Sequence, residues 1–150
     1  MVKKFLFSTS PTWVSFPLRI PLGVIFIAHG AQKLLGWFGG PGLQGTAGFF
    51  EQAGLTPGIF WATLAACGEF FGGLLVLLGL ATRFGALNIA IVMLVAIFKV
   101  HWPVFFAPNG FEYPMALLGS AIVLLTTGGG KLSVDAAISA KPGQTPSIQS

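Results

Sequence analysis

The sequence predicts an all-α integral membrane protein, a bundle of four transmembrane helices in one small domain. Three observations predict it. Of 150 residues, 54% are hydrophobic and only 8% are charged, whereas soluble domains carry roughly 25% charged residues. Mean hydropathy is +0.83. Four apolar stretches also follow one another, each near or above the minimum length that crosses hydrocarbon about 30 Å thick.

The elements follow in order. Residues 1–15, "MVKKFLFSTSPTWVS", bring two lysines and then a Ser/Thr/Pro-broken run, which reads as a cytoplasmic lead-in rather than a cleaved signal. The membrane domain proper covers residues 16–138, and its first span covers 16–38. The connection "GGPGLQGTAGFFEQAGLTPG" is rich in Gly and Pro. It holds a short amphipathic piece around Phe49, Phe50 and Glu51 that should lie on the outer membrane surface. The second span covers 59–80, and "GLATR" then leaves room only for a tight helical hairpin. The third span covers 83–103, "PVFFAPNGF" turns the chain, and the fourth and shortest span covers 112–127. Residues 139–150 have the composition of a flexible tail.

Charge sets the expected orientation. Lys3, Lys4, Arg83, Lys131 and Lys141 share one face if the chain crosses four times. By the positive-inside rule that face is cytoplasmic, as are both termini. The opposite face receives Trp37, Phe38, Trp61, Trp102, Phe105, Phe106, Phe111 and Tyr113 as an aromatic belt. Eight Lys and Arg giving a net charge of +4 form no basic stripe, so a nucleic-acid partner is not expected. A single cysteine, Cys67, excludes an internal disulfide and a multi-cysteine metal or iron–sulfur site, and no metal is expected. "GGPG" and "TTGGGK" lack a preceding strand and the Walker spacing, so no phosphate loop is read from them.

The chemistry lies in polar residues inside the apolar spans. At about 1.5 Å per residue, His29 sits roughly 12 Å below the outer boundary, Glu69 roughly 15 Å, and Lys33 and Lys99 about 6 Å. His101 and Glu112 fall at the boundary itself. On the first helix Arg19, Gly23, His29, Gly30 and Lys33 share an arc of about 120°. Glu69 lies on a stripe with Ala62, Ala65, Ala66, Gly72 and Gly73. Small residues let helices approach closely, so Glu69 should face protein. Glu112 heads a second stripe with Ala116, Gly119, Ser120 and Thr127, and Asn88 aligns with Lys99 on the third helix. His101 points elsewhere, and Cys67 points to a different face from Glu69.

These residues predict a polar pocket open towards the outer leaflet, with His29, Lys33, Glu69, Lys99 and Glu112 as pocket or proton-relay candidates. Gln32, Asn88 and His101 are secondary. An intramembrane charge costs at least about 2.5–3.5 kcal/mol on insertion scales, so such residues persist with partners and usually with a task. A plainer reading stands beside this one. Two lysines against two glutamates also make a balanced set of buried pairs that fixes helix register. His29 is then a hydrogen-bonded core imidazole and Gln32 a link between helices. Arg19, at the cytoplasmic start, is expected to snorkel to lipid phosphates, and Lys99 to snorkel outward.

"HGAQKLLGWFGGPG", "AACGEFFGGLLVLLGLATR" and "GGGKLSVDAAI" together resemble the DoxX family of small bacterial membrane proteins, over about residues 17–138. The resemblance implies a four-helix bundle in the bacterial cytoplasmic membrane. It places the family's HGxxK element on His29 and Lys33, the second-helix glutamate on Glu69, the hairpin arginine on Arg83 and the terminal aspartate on Asp135. It also implies a link to quinone-coupled sulfur oxidation or to oxidative-stress complexes. The chain itself has no paired cysteines and no flavin or nicotinamide fingerprint. His29 and His101 sit on different helices at different depths, which disfavours haem.

No covalent cofactor is implied, and a diffusible quinone is the carrier the arrangement admits. Three function classes follow. The first is a redox-accessory subunit, enzymatic only as part of a quinone-linked oxidoreductase. The second is a small-solute or proton transporter working as an oligomer. The third is a membrane scaffold for an oxidative-stress complex. Expected partners are the bilayer, a membrane or peripheral redox protein, and a second copy of the chain.

Overall fold

The computed structural model describes residues 7–140. The described residues are helical with no strands. The elements are α1 (Ser15–Leu35), α2 (Gly42–Gln52), α3 (Gly58–Leu78), α4 (Thr82–Val95), α5 (Glu112–Thr127) and α6 (Val134–Ser139). A π-helical stretch over Ala96–His101 continues α4. α1, α3 and α4 with its extension are long and apolar enough to cross a membrane. α5 has 16 residues, about 24 Å at the helical rise, and falls short of a full hydrocarbon thickness. The expected lysines Lys3, Lys4 and Lys141 and the tail beyond residue 140 lie outside the described residues.

Helix ends explain where the spans stop short of the apolar runs. α1 closes at Gly36 (φ 71°), whose N–H returns to Ala31 O, and residues 37–39 form one 3₁₀ turn instead of extending the helix. α3 closes in the same way at Gly79 (φ 67°). Glycine tolerates this left-handed conformation without a Cβ clash, so each helix can turn its last carbonyls inward. α2, the amphipathic piece of the first connection, packs Ala47 and Phe50 against Ala62 of α3 rather than lying free on a surface.

α1, α3, α4 and α5 alternate in direction, and their buried faces meet at Leu22, Phe26, Val76, Ile89, Met93 and Leu124. Between apolar helices in lipid, the association comes from close packing more than from water exclusion. The small-residue stripes provide that packing. A Cβ on Gly73 would sit 2.7 Å from Ile27 N, and one on Gly23 would sit 2.7 Å from Leu77 Cβ. Gly72 and Gly85 likewise bring α3 against α4. Val24, Leu78, Leu87 and Ile122 stay exposed as part of an apolar girdle suited to lipid.

One end of the bundle is closed by a polar clasp. Ser10 N donates to Thr127 O at 2.8 Å, and Ser139 Oγ donates to Phe7 O at 2.8 Å, so the first and last described segments meet there. Asp135, fully buried, accepts from Ala81 N (2.7 Å), Thr82 N (2.9 Å) and Thr82 Oγ1 (2.7 Å). Its carboxylate thereby caps the otherwise unsatisfied start of α4 and faces the positive end of the helix dipole.

The expectation that Arg19 snorkels to phosphates is corrected. The residue is 2% exposed, and its Nη1 donates to Gly129 O at 2.8 Å. Its guanidinium lies against Gly79, where any side chain would collide with it. Protein groups rather than lipid head groups therefore surround it. The short helix α6 was not expected at all. Ser133 caps it, with Ala136 N donating to Ser133 Oγ at 3.1 Å, and Asp135 anchors it.

Candidate functional site

A cavity of about 830 Å³ runs along α4 from Phe84, close to the clasp, to His101 at the opposite end of the bundle. α1 contributes Phe26, His29, Gln32 and Lys33, and α3 contributes Leu64, Glu69 and Phe71. α4 and its π-helical extension contribute Asn88, Ile91, Lys99 and His101, while α5 contributes Tyr113 and Leu117. Most of the wall is hydrocarbon and aromatic, with a few polar groups set into it. Such a surface suits a lipophilic molecule with one or two oriented polar groups.

Its electrostatic centre is one ion pair. Lys33 Nζ lies 2.6 Å from Glu69 Oε2, joining the last turn of α1 to the middle of α3. Glu69 is 3% exposed, whereas the Lys33 side chain keeps about a quarter of its surface open at 25%. Close packing of Gly30 on Phe70 brings the two helices together beside the pair. The carboxylate is thus fixed and enclosed, while the ammonium reaches it from the more open side.

The remaining candidates divide by their partners. His29, one turn before Lys33, lines the cavity, and Lys99 lines it from the other side. Among the described residues neither has a hydrogen-bond or ion-pair partner. Asn88 Nδ2 is spent on Phe84 O of its own helix at 2.9 Å. His101, expected to point elsewhere, also lines the cavity, with Nδ1 2.9 Å from Asn109 O. The π-helical turn that carries Lys99 and His101 rotates both away from ordinary α-helical register. Such turns occur often at functional sites.

Glu112 stands apart. It is not in the cavity wall, and its Oε1 accepts from Ala107 N at 2.8 Å to close the loop before α5. Cys67, expected on another face from Glu69, lines the same cavity. The sequence reading missed the contribution of α2, whose Thr46, Phe49 and Phe50 form part of the wall. A signal was present: Leu43, Ala47 and Phe50 recur at the spacing of an apolar helical stripe. Glu51 accepts from Gly58 N at 3.2 Å and so secures the start of α3. No group of three or more His, Cys, Asp or Glu able to hold a metal ion occurs among the described residues.

Comparison with known proteins adds a family. A family model described as DoxX matches residues 14–102. The chain is 36% identical over 118 residues to a Bacillus subtilis protein named "Putative oxidoreductase CatD", covering 79% of this chain and 81% of that one. It is 32% identical over 135 residues to an uncharacterized membrane protein of Mycobacterium tuberculosis, covering 81% and 79% of the two chains. An uncharacterized protein of Haemophilus influenzae is 35% identical over 66 residues, 43% of this chain and 44% of its own. No solved structure matches the chain.

Proposed function

The chain belongs to the DoxX family of membrane proteins, and on that premise we propose that it is a redox-accessory subunit that binds a quinone in this cavity. The observation that carries the reading is the Lys33–Glu69 pair, with the exposed His29 one turn away on α1, in the wall of an otherwise apolar cavity. A quinone needs apolar walls for its ring and tail, a hydrogen-bond donor at a carbonyl oxygen, and a group that exchanges protons with its hydroxyl. His29 supplies the donor. Oxidation of a quinol releases two protons with its two electrons: Glu69, held by Lys33, accepts one, the exposed His29 imidazole passes the other to water, and both return on the reverse step. The two electrons pass to or from a membrane or peripheral redox protein docked on the bundle. The oxidoreductase name borne by the Bacillus subtilis relative supports that direction.

The same reading sets the topology. Arg83 and Lys131 lie at the clasp end, which is the cytoplasmic face by the positive-inside rule. The end of the cavity at His29, Lys33 and His101 then faces outward in a bacterial cytoplasmic membrane, and both termini are cytoplasmic.

Titration of a short-tailed quinone into the purified protein, followed by tryptophan fluorescence, tests the proposal. Saturable quenching is expected in the natural chain, with affinity weakened at least about tenfold, or 1.4 kcal/mol, in His29→Ala and Glu69→Gln. Both variants must still insert and remain helical. Unchanged affinity in both would count decisively against the reading.

A further inference from the structure

We infer that the cavity prefers its ligand in the hydroxyl form, a quinol or another phenol, and that Asn88 is the residue that tells this form from the carbonyl form. The inference rests on the proposed ligand site and specifies the redox state that it favours.

Several polar groups of the wall commit their hydrogens to backbone carbonyls and keep only lone pairs for a ligand. Asn88 Nδ2 donates to Phe84 O at 2.9 Å, which leaves the side-chain carbonyl Oδ1 as the open end of the amide. Thr46 Oγ1 donates to Gly42 O at 2.8 Å. His101 Nδ1 lies 2.9 Å from Asn109 O, so it carries the proton, and Nε2 of the neutral ring is an acceptor. Glu69 takes Lys33 on Oε2, while Oε1 has no partner among the described residues. Among those residues Arg19 Nε is the one fully enclosed side-chain nitrogen or oxygen left unpaired. Oε1 therefore meets open space, and the space that Glu69 borders is the cavity.

Helix packing sets two of these acceptors close together. A Cβ on Gly68 would stand 3.7 Å from Val92 Cγ2, and one on Gly72 would stand 3.6 Å from Asn88 Cβ. Glu69 lies between these glycines, so half-buried Asn88 sits about 4.5 Å along the axis from it, towards the clasp. Donors also occur in the wall: His29, Gln32 and Lys33 on α1, and the exposed Lys99 about three turns outward of Asn88 on α4. Carbonyl and hydroxyl oxygens both accept from such groups, so the donors do not discriminate. An acceptor does. A hydroxyl donates to Asn88 Oδ1, whereas a carbonyl meets it lone pair to lone pair, with no water in the hydrocarbon to intervene. Asn88 takes no proton, so its part is recognition, and proton transfer stays with Glu69 and His29. Tighter binding of the reduced form also raises the reduction potential of the bound couple, by about 30 mV for each tenfold.

The test measures affinity ratios for the protein in phosphatidylcholine nanodiscs, without oxygen, after subtracting partition into empty nanodiscs. Two ligand pairs are used: 1,4-dihydroxynaphthalene against 1,4-naphthoquinone, and 4-nonylphenol against its methyl ether, 4-nonylanisole. The natural chain should bind the hydroxyl member of each pair about tenfold more tightly, the equivalent of about 1.4 kcal/mol. In Asn88→Leu, which keeps the volume and removes the acceptor, both ratios should fall towards one. Affinity for naphthoquinone and nonylanisole should hold in that variant, which shows that its site is intact. Ratios near one in the natural chain overturn the inference, and so does a preference that survives in Asn88→Leu. A phenol preference that needs Asn88, with no binding of either naphthalene compound, supports the inference while refuting the quinone reading. Equal binding of the two naphthalene compounds does the reverse, and no binding of any of the four overturns both.

Discussion

The Lys33–Glu69 pair makes an asymmetric prediction. Glu69 is 3% exposed and cannot reach a polar boundary, whereas the Lys33 side chain is 25% exposed on a flexible stem. Lys33→Met therefore strands an enclosed carboxylate, and breaking a buried pair from that side costs about 3–5 kcal/mol. Glu69→Gln leaves a neutral acceptor and a lysine that can swing outward, so its cost is about 1 kcal/mol. Removing both charges together leaves nothing stranded. The double variant Lys33→Met/Glu69→Gln should lose only about 1–2 kcal/mol, which is less than Lys33→Met alone. The cycle then yields a coupling of about 3 kcal/mol, at the upper end for contacting residues. Equilibrium unfolding in mixed micelles, read by tryptophan emission, measures all four proteins on one scale. If Lys33→Met costs no more than Glu69→Gln, or the two effects add within about 0.5 kcal/mol, the pair is not enclosed as described and the reasoning fails.

Other consequences concern the clasp and the helix crossings. Asp135→Ala leaves Ala81 N, Thr82 N and Thr82 Oγ1 without their acceptor in a buried setting. At about 1–3 kcal/mol per stranded donor, the same unfolding assay should show a loss of at least about 3 kcal/mol. Limited proteolysis should then cut first in the segment that carries α6. Gly73→Leu would drive a side chain into Ile27 N, 2.7 Å from the would-be Cβ. Overpacking there should cost at least about 1–3 kcal/mol in the mixed-micelle assay. Gly119, inside α5, has nothing within 4 Å of its would-be Cβ. Gly119→Ala should therefore stabilise by about 0.5–1 kcal/mol in that assay, through helix propensity alone.

Much of the bundle could be read from the residues because lipid enforces simple rules. Apolar length located α1, α3, α4 and α5, and the glycine and alanine stripes on α1 and α3 marked the faces that pack. Those stripes also explain why Lys33 and Glu69 could be assigned to the interior: each shares a face with residues too small to face anything but a neighbouring backbone. Glycines inside apolar runs ended the helices early, since Gly36 and Gly79 take left-handed conformations that hydropathy does not register. Arg19 was misread because its partners are remote. Gly129 stands 110 residues away, and Gly79 arrives from a separate turn.

The same logic covers the remaining departures. α6 has six residues and no strong periodicity, so its existence depends on docking Asp135 at the α3–α4 hairpin. Glu112 was drawn from the expected niche by a loop amide, a contact that only the folded path of residues 104–111 creates. His101 entered the cavity wall because the chain adopts π-helical register over Ala96–His101. No residue in "AIFKVH" announces that shift.

Photolabelling tests the central claim most directly. An azido-substituted quinone is irradiated with the protein in nanodiscs, and the modified peptides are mapped by mass spectrometry. Labels should fall on the α3 segment around residues 64–71 and the α4 segment around residues 91–101, and unlabelled quinone should compete them away. Labelling that resists competition, or that spreads over the lipid-facing girdle and spares these two segments, would contradict the account.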